Sequence, residues 1–401
     1  MARTLLRGAS AVPSGDREPC AVSVRPFTAA DIEGVNALHR SVWWPERSIA
    51  GWNRLLDNPA ACEIGAVAGW VMDGADGEPA AFLGNLIQRF RHEDRVLHGA
   101  TGYSLIVRPE VRGASKALLD AFTRQPGVFA AYVFDANPLS APLYLRFGMQ
   151  PWPPGTHALK LSWINDPVAL LMGKAMRGVI QGRPGLATML GERLMNPRVG
   201  AGPKLKLPPG VSVLTDFRDG SGYADFWNAL VADGDLLVDR SPEAMRWRLS
   251  DPDLTARPLM LAFNRGSVIT GFAMAMVAKN MTVEAPFLEI IDLAALENEP
   301  EAIPTLMRAL TEAAPKLGAA KVRLQIVSPQ MLERLGSWAA RARREGGWGH
   351  CHAAFAPDAP NPALWSPTPL DGDYAICVRQ PPLPASRRPF GTRARPTAAK
   401  A

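Results

Sequence analysis

What most constrains this chain is an order of hydrophobic periods that runs along it twice. Val22 to Pro26 has the pattern of a short strand, and Thr28 offers an N-cap for a helix on which Ile32, Val35, Leu38 and Val42 recur at helical spacing. A Trp-rich stretch (Trp43, Trp44, Trp52) and Pro59 follow. The spacing then predicts strands over Ala61–Met72 and Ala80–Arg91 around the turn Asp73-Gly74-Ala75-Asp76-Gly77, and a third strand over His98–Val107. A helix over Ala114–Thr123, a buried strand over Val128–Phe134, a short helix over Pro138–Phe147 and a strand over Thr156–Ser162 complete the series.

The second run reads as a strand at Val211–Leu214, helices at Gly222–Ala232 and Pro242–Leu249, and a hairpin of Leu259–Asn264 with Val268–Lys279. Then come a strand at Phe287–Ala295, a helix at Ile303–Lys316, a strand at Lys321–Val327 and a helix at Met331–Arg343. Trp348–Phe355 and Tyr374–Arg379 read as closing strands. Strands and helices in this order predict a mixed sheet with helices on its faces, and two of them predict a duplicated α/β fold. A length of 401 residues, 47% hydrophobic and 20% charged, suits two cores.

The expected division is an N-terminal tail at 1–20, a first domain at 21–165, a partly helical connector at 166–207, a second domain at 208–380 and a tail at 381–401. Charge follows it. The connector carries Lys174, Arg177, Arg183, Arg193, Arg198, Lys204 and Lys206 against Asp166 and Glu192, and the tail adds Arg387, Arg388, Arg393, Arg395 and Lys400 with no acid. With a net charge of only +6, the two domains are left mildly acidic. That argues against a nucleic-acid partner, which would want basic domain faces, and leaves a weak attraction of connector or tail to anionic surfaces. Val168, Leu170, Leu171, Met172, Met176, Val179 and Ile180 fit a helix packed across the domains, broken at Gly182–Gly185. No apolar window of membrane-spanning length occurs, and Cys20, Cys62, Cys351 and Cys377 form no CxxC pair, so a cytoplasmic setting with free thiols and no metal is expected.

The chemistry is expected at two junctions of the first half. One runs Val107-Arg108-Pro109-Glu110-Val111-Arg112-Gly113-Ala114-Ser115-Lys116-Ala117, a strand end turning through an Arg-Gly pair into a helix N-terminus, where free N–H groups favour a phosphate. The other runs Asn137-Pro138-Leu139-Ser140-Ala141-Pro142-Leu143-Tyr144-Leu145-Arg146-Phe147-Gly148-Met149. Together these resemble the two signature regions of the GNAT-type acyl-CoA N-acyltransferases, and the resemblance extends over roughly residues 21 to 155, from Val24-Arg25-Pro26 through His39. It implies an acyl-CoA, acetyl-CoA or a longer one, in a V-shaped opening between two parallel strands. Val107, Arg112, Gly113, Ala114, Ser115 and Asn137 would hold it, and Tyr144 would be the acid that protonates the departing thiolate. The family loop runs Arg-x-x-Gly-x-Gly/Ala, whereas here Ser115 and Ala117 fall at the glycine positions, or the loop is two residues shorter. No general base is fixed, with His98, His92 and Glu93 as candidates.

In the second half the matching junction, Ile290 to Glu301, places Glu297, Glu299 and Glu301 where a phosphate would sit, so this half reads as a degenerate repeat. Arg246-Trp247-Arg248 and the loop Trp365 to Asp373 resemble, more weakly, Fem-type aminoacyl transferases, in which Asp371 and Asp373 would contact substrate; the plainer reading is an acidic turn. Glu289 and Asp292 are expected on opposite strand faces, and His350-Cys351-His352 on a surface strand. The expected activity is transfer of an acyl group, acetyl first, to an amine-bearing small molecule or surface-sugar precursor. The alternatives are a catalytically silent GNAT-like scaffold and a Fem-like transferase.

Overall fold

The computed structural model describes residues 23–42, 44–182, 204–254, 256–279, 284–346 and 349–377. In the first half the strands are β1 (Val24–Pro26), β2 (Gly69–Asp73), β3 (Pro79–His92), β4 (Arg95–Val107), β5 (Ala130–Ala136), β6 (Gln150–Pro151) and β7 (Lys160–Ile164). The helices are α1 (Ile32–Ser41), α2 (Ile49–Leu56), α3 (Pro59–Ile64), α4 (Ala114–Thr123) and α5 (Ala141–Arg146). Connector helix α6 (Pro167–Gly182) leads to β8 (Val211–Val213), α7 (Gly222–Ala232), β9 (Leu237–Val238), α8 (Pro242–Leu249), β10 (Leu259–Arg265), β11 (Val268–Ala278) and β12 (Phe287–Ala295). Then follow α9 (Ala302–Ala313), β13 (Lys321–Leu324), α10 (Pro329–Leu335), α11 (Ser337–Arg341), β14 (Arg343–Glu345) and β15 (His350–Phe355).

Two mixed sheets carry the same order. The first runs β1-β2-β3-β4-β5-β15-β6, with β9 against β3, and the second β8-β10-β11-β12-β13-β7-β14. In each, an antiparallel meander feeds one parallel pair through a crossover helix, α4 in the first and α9 in the second. Helix α4 buries Leu118, Leu119 and Phe122, and α9 buries Ile303, Leu306, Met307 and Leu310, each the apolar stripe its sequence spacing calls for.

The closing strands change places. β7, at the end of the first half, pairs antiparallel with β13 through Leu161↔Leu324 and Ser162↔Arg323, whereas β15 pairs antiparallel with β5 through His352↔Val133 and Ala353↔Tyr132. Each sheet therefore needs a strand from the other half, and neither half closes its sheet alone. Between the sheets lies a shared core in which Trp365 meets Trp152, Tyr132 and Phe90 at ring-centroid distances of 4.4, 4.9 and 5.0 Å. Aromatic contacts of this kind add about 0.5–1.5 kcal/mol each beyond burial.

Local signals explain where other elements differ from expectation. Within the strand expected at Ala61–Met72, Asn58 accepts a hydrogen bond from the Ala60 N–H and Pro59 occupies the first turn, so Pro59–Ile64 is helical until Gly65 at φ 64° ends it. Much of the Trp-rich stretch is α2, capped by Ser48, which accepts from the Gly51 N–H. Gly336, at φ 52°, divides the helix expected over Met331–Arg343. Tyr374 sits in a 3₁₀ turn, Asp373–Ala375, rather than a strand. The expected helix break at Gly182–Gly185 falls almost wholly outside the described residues, as do the two terminal tails and Trp43.

Candidate active site

β4 and β5 pair only at Gly99↔Ala130, Ala100↔Ala131 and Thr101↔Tyr132, although β4 continues to Val107 and β5 to Ala136. Past that point no ladder joins them, and a V-shaped opening results. A bulge contributes to it. Ser104 has φ 53°, and the β3–β4 register shifts between Phe82 and Gly84. Before the bulge, Gly102 faces Phe122 of α4, and the Tyr103 ring lies over Gly84 on the opposite face. After it, Leu105 and Val107 turn to the α4 side while Ile106 joins the core under α1 and α2.

The Arg108 N–H donates to the Ala80 carbonyl at 2.9 Å, so alternation along β4 turns the Val107 backbone away from β3 and toward the opening. A 3₁₀ turn, Pro109–Val111, then leads to Gly113, which at φ 95° and ψ −14° caps α4 in a conformation that favours glycine. The backbone N–H groups of Arg112, Gly113, Ala114 and Ser115 donate to no acceptor among the described residues. Arg112 is exposed beside them. Four such donors at the N-terminus of a three-turn helix, with a guanidinium alongside, have the chemistry that suits an anion.

Asn137 works on its own turn. Its Oδ1 accepts from the Leu139 and Ser140 N–H groups at 2.9 Å each, which launches α5 and sets Tyr144. Tyr144 is 4% exposed and packs against the His352 ring at 5.9 Å between centroids. Burial, with the Asp373 and Asp135 carboxylates adding to it, raises the phenol well above its ordinary pKa, so it keeps its proton at neutral pH.

His352 was expected on a surface strand, yet it is buried at 2%, because β15 lies between β5 and β6. Burial pushes the imidazole down to about 4, and its Nδ1 has no hydrogen-bond partner among the described residues. Neighbouring Cys351 is likewise buried, with its thiol pushed up to about 12. Nothing local in the sequence distinguishes this strand from a surface one. The three base candidates lie away from the opening: His98 bonds Glu63 at 2.7 Å just before the first parallel pair, His92 meets the Gly234 carbonyl at 3.2 Å, and Glu93 turns the β3–β4 hairpin at φ 51°.

The second half has the same opening in outline. β12 and β13 pair at Leu288↔Val322, Glu289↔Arg323 and Ile290↔Leu324, and a bulge follows at Ile291. It breaks the alternation, so the expectation that Glu289 and Asp292 face opposite ways fails. Both face the interior, each with its own arginine: Glu289 Oε2 accepts from Arg323 at 2.5 Å, and Asp292 accepts from Arg240 at 2.8 and 2.9 Å. Arg240 also reaches Asp371 at 3.1 Å, and Asp371 accepts from Trp365 Nε1 at 2.7 Å. Burial opposes charge on Arg240, but attraction to Asp292 and Asp371 outweighs it. Asp371 is 1% exposed, so it cannot meet a substrate from solvent. At the junction before α9, Glu299 and Glu301 hold Arg265 at 2.9 and 2.7 Å.

Among the described residues no group of three or more His, Cys, Asp or Glu side chains is placed to hold a metal, and no helix is long and apolar enough to cross a membrane. No family model matches the sequence, and no match was found among curated proteins. Among solved structures the chain is similar to Saccharomyces cerevisiae N-myristoyltransferase with bound myristoyl-CoA, at 12% identity over 85% of this chain and 82% of that one, with a TM-score of 0.50. It is also similar to a GCN5-related N-acetyltransferase from Kribbella flavida, at 14% identity over 83% and 72%, with a TM-score of 0.48. The first likeness, spanning both halves, makes the fold that of the GNAT-type N-acyltransferases.

Proposed function

We propose that the protein is an acyl-CoA-dependent N-acyltransferase with one working opening, between β4 and β5, and that it transfers an acyl group, acetyl first, to an amine-bearing small molecule or surface-sugar precursor. The observation that carries this reading is the run of four N–H groups at Arg112 to Ser115, unpartnered among the described residues, at the end of a strand that has parted from its parallel neighbour. The residues fit the co-substrate: the N–H groups and Arg112 match a pyrophosphate, and the unladdered edges of β4 and β5 match an extended pantetheine arm. A bound acyl-CoA supplies an activated acyl carbon and a thiolate leaving group. Tyr144 holds a proton ready for that thiolate, and His352, neutral beside it, adds no competing charge. A cytoplasmic setting belongs to the same proposal, supported by the free thiols of Cys62 and Cys351.

Calorimetric titration with acetyl-CoA and a longer acyl-CoA tests the reading. Saturable binding is expected, weakened at least about tenfold by Arg112→Glu, which loses a charge-assisted contact and adds a repulsive one. Tyr144→Phe is expected to keep the affinity and lower turnover by about 10²-fold. No binding by the folded protein to either compound overturns the proposal.

A further inference from the structure

The acceptor side of the opening contains groups from both halves of the chain. Tyr103 stands two residues beyond the last parallel pair, Thr101↔Tyr132, on the face covered by α1 and α2. It is 5% exposed, and its hydroxyl has no hydrogen-bond partner among the described residues. A buried phenol left this way costs about 1–3 kcal/mol unless something else satisfies it.

The segment after Trp365 crosses this place. Tyr132 Oη donates to the Asp371 carbonyl at 2.7 Å, Gly372 is seated so closely on Phe134 that a Cβ would stand 2.8 Å from its ring, and Tyr374 Oη donates to the Phe134 carbonyl at 3.4 Å. The 3₁₀ turn Asp373–Ala375 thereby touches both β4 and β5 where they part. The Asp373 carboxylate is near enough to both Tyr103 and Tyr144 to raise each phenol. Tyr144 approaches from the α4–α5 face and Ile376 and Cys377 belong to the α1–α2 face, so an acid and a carboxylate flank the opening.

We propose that Asp373, supplied by the second half of the chain, is the general base that takes the proton from the acceptor amine in the first half's opening. The inference rests on the acyltransferase reading above. The amine nitrogen forms the bond to the acyl carbon as the carbon–sulfur bond breaks. An acceptor that arrives as ammonium first gives one proton through Asp373 to bulk water; a second goes to Asp373 as the amide forms, the Tyr144 proton goes to sulfur, and one proton passed from Asp373 to Tyr144 through water resets both. The acceptor class that follows is a primary amine arriving as the ammonium form, which a carboxylate both attracts and deprotonates. Arg47 does not oppose it, since its guanidinium is bound to Asp251 at 2.8 Å, to Asp253 at 3.3 Å and to the Ile376 carbonyl. Among the described residues, titratable groups near the carboxylate include Tyr103 of β4, Tyr144 of α5, Asp135 of β5, Cys351 of β15 and Cys377, whose Sγ donates to Asp373 Oδ2 at 3.0 Å.

The test is thiol release from acetyl-CoA by the full chain and by Asp373→Asn and Asp373→Glu. Acceptors are water, hydroxylamine, which is neutral near pH 7, and the ammonium-forming ethanolamine and glucosamine. Asp373→Asn should bind acetyl-CoA as the parent does, lose at least about tenfold in kcat/KM with the ammonium-forming acceptors, and flatten the acidic limb of their pH profile. It should lose far less with hydroxylamine, and Asp373→Glu should restore part of the loss. An equal loss with every acceptor, or no loss, overturns the inference and leaves acyl transfer standing. So does a parent that binds acetyl-CoA but releases no thiol even to water. Failure of the parent to bind acetyl-CoA removes the acyltransferase reading itself, and this inference with it.

Discussion

The two openings can be compared position by position. In each, three parallel pairs end at a bulge, and the residue two places past the last pair points inward: Tyr103 in the first half and Asp292 in the second. Among the described residues Tyr103 has no partner for its hydroxyl, whereas Asp292 is held by Arg240 and by the Thr368 hydroxyl at 2.8 Å. The crossover turns differ in the same sense, with free N–H groups at Arg112–Ser115 against Glu299 and Glu301 closed onto Arg265. One fold thus gives an opening lined by N–H donors and a sealed one, and side-chain charge accompanies the difference. The sealed copy contributes order: its ion network ties Arg240 to Thr368 and Asp371, and the loop they hold leads into Asp373.

Breaking the seal should have the largest effect on stability. Arg240→Ala leaves Asp292 and Asp371, at 0% and 1% exposure, without the guanidinium that bridges them, and should cost about 3–5 kcal/mol in urea denaturation. If the network serves only the sealed copy, acetyl-CoA turnover by the surviving folded fraction will be untouched; if it aims Asp373, turnover falls as well.

The exchanged strands sharpen the comparison. Past Leu324↔Leu161 the next residue of β7 is Lys160, and past Tyr132↔Ala353 the next of β15 is His352, so each sheet receives a buried basic side chain at the same register. Lys160 Nζ donates to Gln325 at 3.1 Å, whereas His352 is held neutral with its pKa near 4 against an ordinary 6.5. Between those values the unfolded chain binds a proton that the folded chain refuses. Stability from this residue is complete above pH 6.5 and is lost as pH falls toward 4, on the order of 2 kcal/mol. Denaturation midpoints of the parent and His352→Leu should diverge over that window in favour of the variant. Parallel curves would mean that the imidazole is solvated.

Much of this fold was legible where the signal is local. Helices at 114–123, 222–232 and 242–249 and the strand at 287–295 have the bounds their periodicity predicts. The free N–H groups at Arg112–Ser115 were legible too, because a strand, an Arg-Gly pair and a helix fix that turn within a few residues. What was not legible is long-range. Lys160–Ile164 and His350–Phe355 read as strands, but nothing in either says which sheet it will join. The bulges at Ser104 and Ile291 shift side chains to the other face without any change in residue pattern, which hid the shared interior of Glu289 and Asp292. Asp373 was visible as part of an acidic turn, but its place beside Tyr103 and Tyr144 depends on that strand exchange and on the anchored loop.

The smallest expected effect asks whether the acidic turn of the second half is itself a device or a remnant. Arg265 is half-exposed and bridges Glu299 and Glu301 on the surface, where water and salt screen the attraction. Arg265→Ala should therefore lower the melting temperature slightly at low ionic strength and not at all in high salt. It should leave acetyl-CoA affinity unchanged, because the freed carboxylates stand at the other opening and still repel an anion. Lost affinity at constant stability would show that the two openings are electrostatically coupled, and the sealed copy would then be part of the binding apparatus.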